Sequence, residues 1–149
     1  YTELNLMLVG KLPKNIDKFE AIVKENNLED RVIFTGFVTD VQLSSIIQKT
    51  RIYINASHFE GFGMTSVEMM GSGIPTIVAN NTAQKEVTMG LCRYYEPTDN
   101  ESKLAEQILE ELKNPKTERE LIEISEIVKK QYSYENIANK YWKFIEECI

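Results

Sequence analysis

Short apolar runs closed by glycine alternate with stretches of helical period, and the pattern changes after Asn100. Glu3-Leu4-Asn5-Leu6-Met7-Leu8-Val9 ends in Gly10, and Arg31-Val32-Ile33-Phe34-Thr35 ends in Gly36; both read as strands. Between them, Phe19, Ile22 and Val23 recur at helical spacing within Ile16–Asn26. Thr39-Asp40-Val41-Gln42 has the spacing of a capping box and opens a helix that presents Leu43, Ile46 and Ile47 on one side. Arg51–Asn55 reads as a third strand, Met64–Ser72 as a short helix, Pro75–Ala79 as a fourth strand and Leu91–Tyr95 as a candidate fifth.

Strands that are nearly continuous in apolar residues and alternate with helices predict a parallel sheet covered on both faces. The expected class is therefore α/β, a doubly wound sheet with a helical C-terminal stretch. Such sheets bind ligands beyond the carboxyl ends of their strands, where Gly10, Gly36 and Glu60-Gly61-Phe62-Gly63 all fall. After Asn100 only helices are predicted. Leu104, Ala105, Ile108, Leu109 and Leu112 form one stripe; Leu121, Ile124 and Val128 form another, with Asn114-Pro115 between them. Ser133 is a fair N-cap for a last helix carrying Ile137, Ala138, Tyr141, Phe144, Ile145 and Cys148. Tyr132, Tyr134, Tyr141, Trp142 and Phe144 read as core rather than as a binding surface, because aromatics dominate cores. The chain opens almost at once on a strand, so it is expected to begin partway into its domain.

Composition narrows the classes. With 42% hydrophobic and 27% charged residues over 149 positions, the chain is long enough for one globular domain. A net charge of −6 argues against a nucleic-acid partner, whose affinity needs clustered Lys and Arg. Acids and bases are interspersed, as in Glu110-Glu111-Leu112-Lys113 and Glu118-Arg119-Glu120, which read as solvated helix faces. Cys92 and Cys148 have no metal-ligand spacing and are expected to be free thiols, buried or half-buried. No apolar run reaches the roughly 20 residues of a membrane span, and no leader pattern opens the chain. A cytoplasmic setting is expected, with room for peripheral membrane contact.

The informative segment is Glu60-Gly61-Phe62-Gly63-Met64-Thr65-Ser66-Val67-Glu68-Met69-Met70-Gly71-Ser72-Gly73-Ile74-Pro75. A strand delivers the chain to a glycine turn, and a helix starts there. Glycines let a ligand approach the backbone, and the first helix amides point outward with no internal acceptor, ready for sugar or phosphate oxygens. Glu60 precedes the helix and Glu68 lies inside it. An ionised carboxylate accepts hydrogen bonds from two neighbouring hydroxyls, which suits a ribose or a hexose. Either acid could equally be a solvated charge on spacing alone.

Rival chemistries fit these residues less well. Gly61-x-Gly63-x-x-Ser66 lacks the third glycine of a dinucleotide fingerprint, and Asn80-Asn81 stand where an acid is needed after the next strand. A glycosidase pair would flank a scissile bond, whereas Glu68 sits well inside a helix. His58 is the only histidine and has no triad partner nearby, and no Gly-x-Ser-x-Gly elbow exists.

The run Glu60–Pro75 resembles the E-x7-E signature of the group 1 glycosyltransferases, the retaining family 4 enzymes of GT-B fold. Leu6–Gly10, Leu28–Gly36, Ala79–Glu86 and Tyr132-Ser133-Tyr134 follow in the family's order. The resemblance implies a Rossmann-like, C-terminal donor domain spanning the chain, with the acceptor domain elsewhere, and a hexosyltransferase using a nucleotide-diphosphate sugar without a metal or other cofactor. It implies that Glu60 contacts the donor sugar near the reacting centre, that Glu68 holds the ribose hydroxyls, and that the backbone of Gly61, Phe62, Gly63, Met64 and Thr65 faces sugar and phosphate. Lys11, Phe37 and Val38 fall where the family lines its base pocket. The acceptor it implies is a glycan or lipid-linked glycan bound through an N-terminal domain. The Arg and Lys that neutralise the diphosphate in the family have no counterpart here, and Asn55-Ala56-Ser57 replaces a frequent proline before serine. The chain by itself is thus expected to bind donor weakly and to be inactive. A non-catalytic nucleotide-binding module and a GT-B nucleotide-sugar epimerase are the alternatives, both disfavoured by the paired acids.

Overall fold

A computed structural model describes residues 4–149. They fall into two compact units, one ending at Gln48 and one spanning Lys49–Ile149.

In the first unit, β1 (Leu6–Val9) runs parallel to β2 (Val32–Gly36), and α1 (Ile16–Glu25) connects them. The pairing opposes Leu6 to Val32 and shifts after Leu8, so that Val9 faces Gly36. β1 is shorter than the predicted run from Glu3 to Val9, and Glu3 lies outside the described residues. α2 (Asp40–Lys49) opens with the predicted capping box. Thr39 N donates to Gln42 Oε1 at 2.9 Å, and Gln42 N donates to Thr39 Oγ1 at 3.3 Å. Val23 is half-buried, while Phe19 and Ile22 remain exposed.

The second unit is built on an all-parallel sheet, β3 (Tyr53–Asn55), β4 (Thr76–Ala79) and β5 (Arg93–Tyr95), in that spatial order. The strands expected as one sheet are thus hydrogen-bonded as a pair and a triplet. β4 is buried at every residue, which is why its sequence is apolar and β-branched without alternation. α3 (Met64–Gly71) packs on β3 and β4, α5 (Glu101–Lys113) on β4 and β5, and α6 (Glu118–Gln131) on α3. Ile77, Ala79 and Tyr95 form the core with Ile52, Leu104 and Ile108 packed against it. Gly73, at φ +75°, ends α3 as predicted: its amide reaches Met70 O and that of Ile74 reaches Met69 O, the paired bonds of a Schellman motif.

The helical stretch departs from expectation in three places. α5 turns Leu104, Ile108 and Glu111 inward, while Ala105 and Leu109 are exposed. Glu111, read as solvated, is 2% exposed because Arg93 Nε reaches its carboxylate at 2.5 Å and Lys116 Nζ at 3.6 Å. In α7 (Tyr134–Glu147) the aromatics expected in a core lie outside it: Tyr134 is 97% exposed, and Tyr141, Trp142 and Phe144 are also exposed. No described residue covers that face. Of the two free thiols Cys92 is half-buried and its pKa is raised by burial, but Cys148 is exposed. Ser133 caps α7 through Asn136 N, as predicted. The one-turn helix α4 (Gln84–Val87) was not anticipated, since four residues carry no readable period.

Candidate functional site

All three strands of the second unit run parallel, so their carboxyl ends lie on one edge, and the loops that leave them meet there. The loop after β3 carries His58 and Glu60, the loop after β4 carries Asn80, Asn81 and Thr82, and the loop after β5 carries Glu96 and Thr98. Thr82 ties the first two together, accepting from Glu60 N at 3.1 Å and donating to Glu60 O at 2.7 Å. Asn81 Nδ2 donates to Ser57 O, and Asn80 Nδ2 donates to Glu96. His58 Nδ1 pairs with Thr98 Oγ1 at 3.3 Å and meets no triad partner.

Beneath this edge, the polar face of β3 reaches Glu60 and the start of α3. Tyr53 and Asn55 are two residues apart and project to the same side of the strand. Asn55 is buried; its Nδ2 donates to Glu60 Oε2 at 3.4 Å and to Ser66 Oγ at 3.2 Å, while its Oδ1 accepts from Ser57 N at 3.0 Å. The Tyr53 hydroxyl donates to Thr65 Oγ1 at 2.7 Å. Burial pushes the Tyr53 phenol pKa up, and the charges of Glu60 and Glu68 push it further in the same direction. One tyrosine therefore lies close enough to feel both acids.

α3 starts at Gly63, whose φ of +89° is a left-handed conformation that L side chains rarely adopt. No side chain caps this helix, in contrast to Asn100, Thr117 and Ser133 at the starts of α5, α6 and α7. Helix geometry leaves the leading amides of Met64 and Thr65 without an internal acceptor, and the first bond back along the chain is Ser66 N to Gly63 O. Ser66, Met69 and Met70 face inward, so Met64, Thr65 and Glu68 share the exposed face. Glu68 sits four residues after Met64, one turn or about 6 Å along the axis. Glu60 is half-buried, Glu68 is exposed, and neither forms an ion pair among the described residues. Phe62 is held edge-on by Tyr132, at 5.5 Å between ring centroids, and the Tyr132 hydroxyl donates to Val87 O at 2.7 Å.

The structure thus gathers Glu60, Gly61, Phe62, Gly63, Met64, Thr65 and Glu68 around one helix start. Lys11, Phe37 and Val38 belong to the first unit. There they follow the carboxyl ends of β1 and β2, on one edge joined by Gly10 N to Gly36 O at 3.2 Å; Phe37 is 90% exposed. Among the described residues no group of three or more His, Cys, Asp or Glu is arranged to hold a metal ion. Sequence reasoning missed Tyr53, Asn55, Thr82 and Tyr132. A polar Asn closing the apolar run Ile52-Tyr53-Ile54 was a usable signal; Thr82 and Tyr132 reach the site only through tertiary contacts.

Comparison with known proteins identifies the family and the fold. The family model described as glycosyl transferases group 1 matches residues 1–128. Poly(glycerol-phosphate) alpha-glucosyltransferase of Bacillus subtilis is 26% identical over 133 residues, covering 88% of this chain and 19% of that protein. The sucrose-phosphate synthase structure from Thermosynechococcus elongatus superposes with a TM-score of 0.78 at 25% identity, over 97% of this chain and 38% of that one. Anabaena HepE, solved in complex with UDP, superposes with a TM-score of 0.81 at 20% identity, over 97% of this chain and 41% of that one. This chain belongs to the group 1 glycosyl transferases, and its fold is the Rossmann-like α/β fold of the GT-B enzymes. It spans less than half the length of each of these three proteins.

Proposed function

We propose that the chain is the donor-binding, C-terminal half of a retaining glycosyltransferase that transfers a hexose from a nucleotide-diphosphate sugar to a glycan or lipid-linked glycan. One observation carries this reading. Two acids that form no ion pair among the described residues flank an uncapped, glycine-led helix start on the edge where parallel strands end. Amides at that start suit a diphosphate or a sugar oxygen, and the acids suit vicinal hydroxyls. The family membership supports it, as do HepE's UDP and the alpha linkage in the Bacillus relative's name.

In this scheme Glu68 accepts hydrogen bonds from the ribose hydroxyls and Glu60 from the sugar being transferred. The leading amides of α3 draw charge from the diphosphate as the bond from the anomeric carbon to the phosphate oxygen breaks. The acceptor hydroxyl attacks from the same face, and its proton passes to the departing phosphate oxygen, so the configuration is retained. Glu60 positions and stabilises charge without becoming a covalent nucleophile. No metal takes part, and the acceptor is held by a separate N-terminal domain working at or near the cytoplasmic membrane face.

The test is an NMR titration with UDP, GDP and ADP sugars, repeated on Glu68→Ala. Shifts across Gly61–Glu68 with one nucleotide, lost in the variant, are the expected result. Saturable binding that leaves those residues unmoved would remove the assignment.

A further inference from the structure

Gln84 opens α4 and is 0% exposed, yet among the described residues neither its Nε2 nor its Oε1 meets a hydrogen-bond partner. A neutral carboxamide in that condition is a net cost, because water satisfies it in the unfolded chain. Its backbone, by contrast, is fully engaged: the amide donates to Asn81 O, and the carbonyl accepts from Thr88 N and Thr88 Oγ1. The side chain is therefore held in place while its polar end goes unanswered.

That polar end lies against the glycine turn. A Cβ built on Gly63 would sit 3.0 Å from both Nε2 and Oε1 of Gln84, so the carboxamide occupies the space under the residue that starts α3. Gly63 is itself buried, so a ligand at the α3 start meets the turn rather than Gln84. The same turn starts α3, which brings no capping side chain of its own.

We propose that Gln84 is a positioning residue for donor binding. Among the described residues its carboxamide lacks a partner in this turn geometry, and it gains one when a nucleotide-diphosphate sugar draws Glu60–Thr65 into a bound geometry that turns a peptide group onto it. The inference rests on the function proposed above. A hydrogen bond made only in the bound geometry strengthens donor affinity and leaves the chemical step alone, so its loss appears in KM and in donor Kd rather than in kcat. A polar group that is unsatisfied in the other geometry also lowers the stability of the unliganded protein, so replacing it with an apolar group of similar size does not reduce that stability.

The experiment compares wild type with Gln84→Met in the intact protein, using whichever of UDP-, GDP- or ADP-sugar the wild type binds most tightly. We expect donor Kd and KM to rise about tenfold, the effect of roughly one hydrogen bond, with kcat within about twofold and Tm unchanged or raised by about 2–4 °C. A variant that loses Tm but keeps donor Kd has lost a structural residue, and the inference falls. Equal Kd in both proteins also overturns it, whatever happens to Tm. If the variant does not fold, side-chain amide exchange at Gln84 in the wild type decides: slower exchange on donor addition supports the inference, and no change overturns it. Wild type that binds none of these sugars removes the functional reading, and this inference with it; binding by wild type that Gln84→Met leaves intact removes only this one.

Discussion

The Asn55 amide bridges Glu60 and Ser66, donating from one nitrogen to the carboxylate at 3.4 Å and to the hydroxyl at 3.2 Å. The last residue of β3 thereby links the acid before α3 to the interior of α3. Ser66 is fully buried, so the network has one rigid end and one end that faces the site. Asn55→Leu keeps the volume roughly but removes every donor and acceptor. It is expected to free the Glu60 side chain and lower kcat about tenfold, with a smaller effect on donor KM. Steady-state kinetics separate the two constants; an unchanged kcat would mean that Asn55 only supports the fold.

The two acids are expected to fail differently. Glu68 lies one turn inside α3 on its exposed face, where it can hold ground-state hydroxyls, so Glu68→Ala raises donor Kd by about 10- to 100-fold, the range of one or two charge-assisted hydrogen bonds. Glu60 precedes the amides proposed to face the developing charge, so Glu60→Gln is expected to lower kcat by at least about 100-fold at little cost in donor affinity. Parallel losses in both constants for both variants would contradict this division.

Gly61 and Gly63 look equivalent in the sequence, yet the structure treats them differently. Among the described residues Gly61 has no neighbour within 4 Å of a built Cβ and no positive φ, whereas Gly63 stands at φ +89° and a Cβ built on it would lie 3.0 Å from the Gln84 carboxamide. Gly63→Ala is expected to destabilise by about 1–2 kcal/mol from backbone strain, while Gly61→Ala stays within about 0.5 kcal/mol. Urea unfolding of both variants checks this. Equal costs would mean that the left-handed start of α3 is not required.

This contrast marks the limit of what the sequence could say. The strands, the capping box at Thr39, the glycine stop at Gly73 and the cap at Ser133 were legible because each rests on neighbours within a few residues. The cluster Glu60–Glu68 was legible for the same reason, being one turn and one helix. Tyr53, Thr82, Gln84 and Tyr132 were not, because the sheet order and the loops that meet at its edge bring them to the site. The α7 aromatics failed in the opposite sense. Their spacing describes an amphipathic face correctly and does not say what covers it.

Glu111 shows a local rule overridden by tertiary structure, and its charge sets an expected pH dependence. Burial alone would raise its pKa. The hydrogen bond from Arg93, the Lys116 backbone amide and the charges of Lys116 and Arg93 outweigh burial and hold it below its ordinary 4.5. A carboxyl with a depressed folded pKa adds stability that is complete above the unfolded value and is lost as pH falls through the folded one. The loss therefore begins below about pH 4.5 and is absent near neutrality. Glu111→Gln keeps the shape but gives up the charge, leaving Arg93 without its buried counter-ion. It should cost about 2 kcal/mol near pH 7, a discounted buried-pair value because Arg93 and Lys116 remain partly exposed. The variant should then lose less than wild type on acidification, so that the two unfolding curves converge. Some acid loss persists in both, because the Thr117 hydroxyl, first among its partners, also lowers the pKa of exposed Glu120. Urea midpoints measured from about pH 7 to pH 3 test this; a wild-type-to-variant gap that stays constant across that range would show that the buried carboxylate does not drive the acid transition.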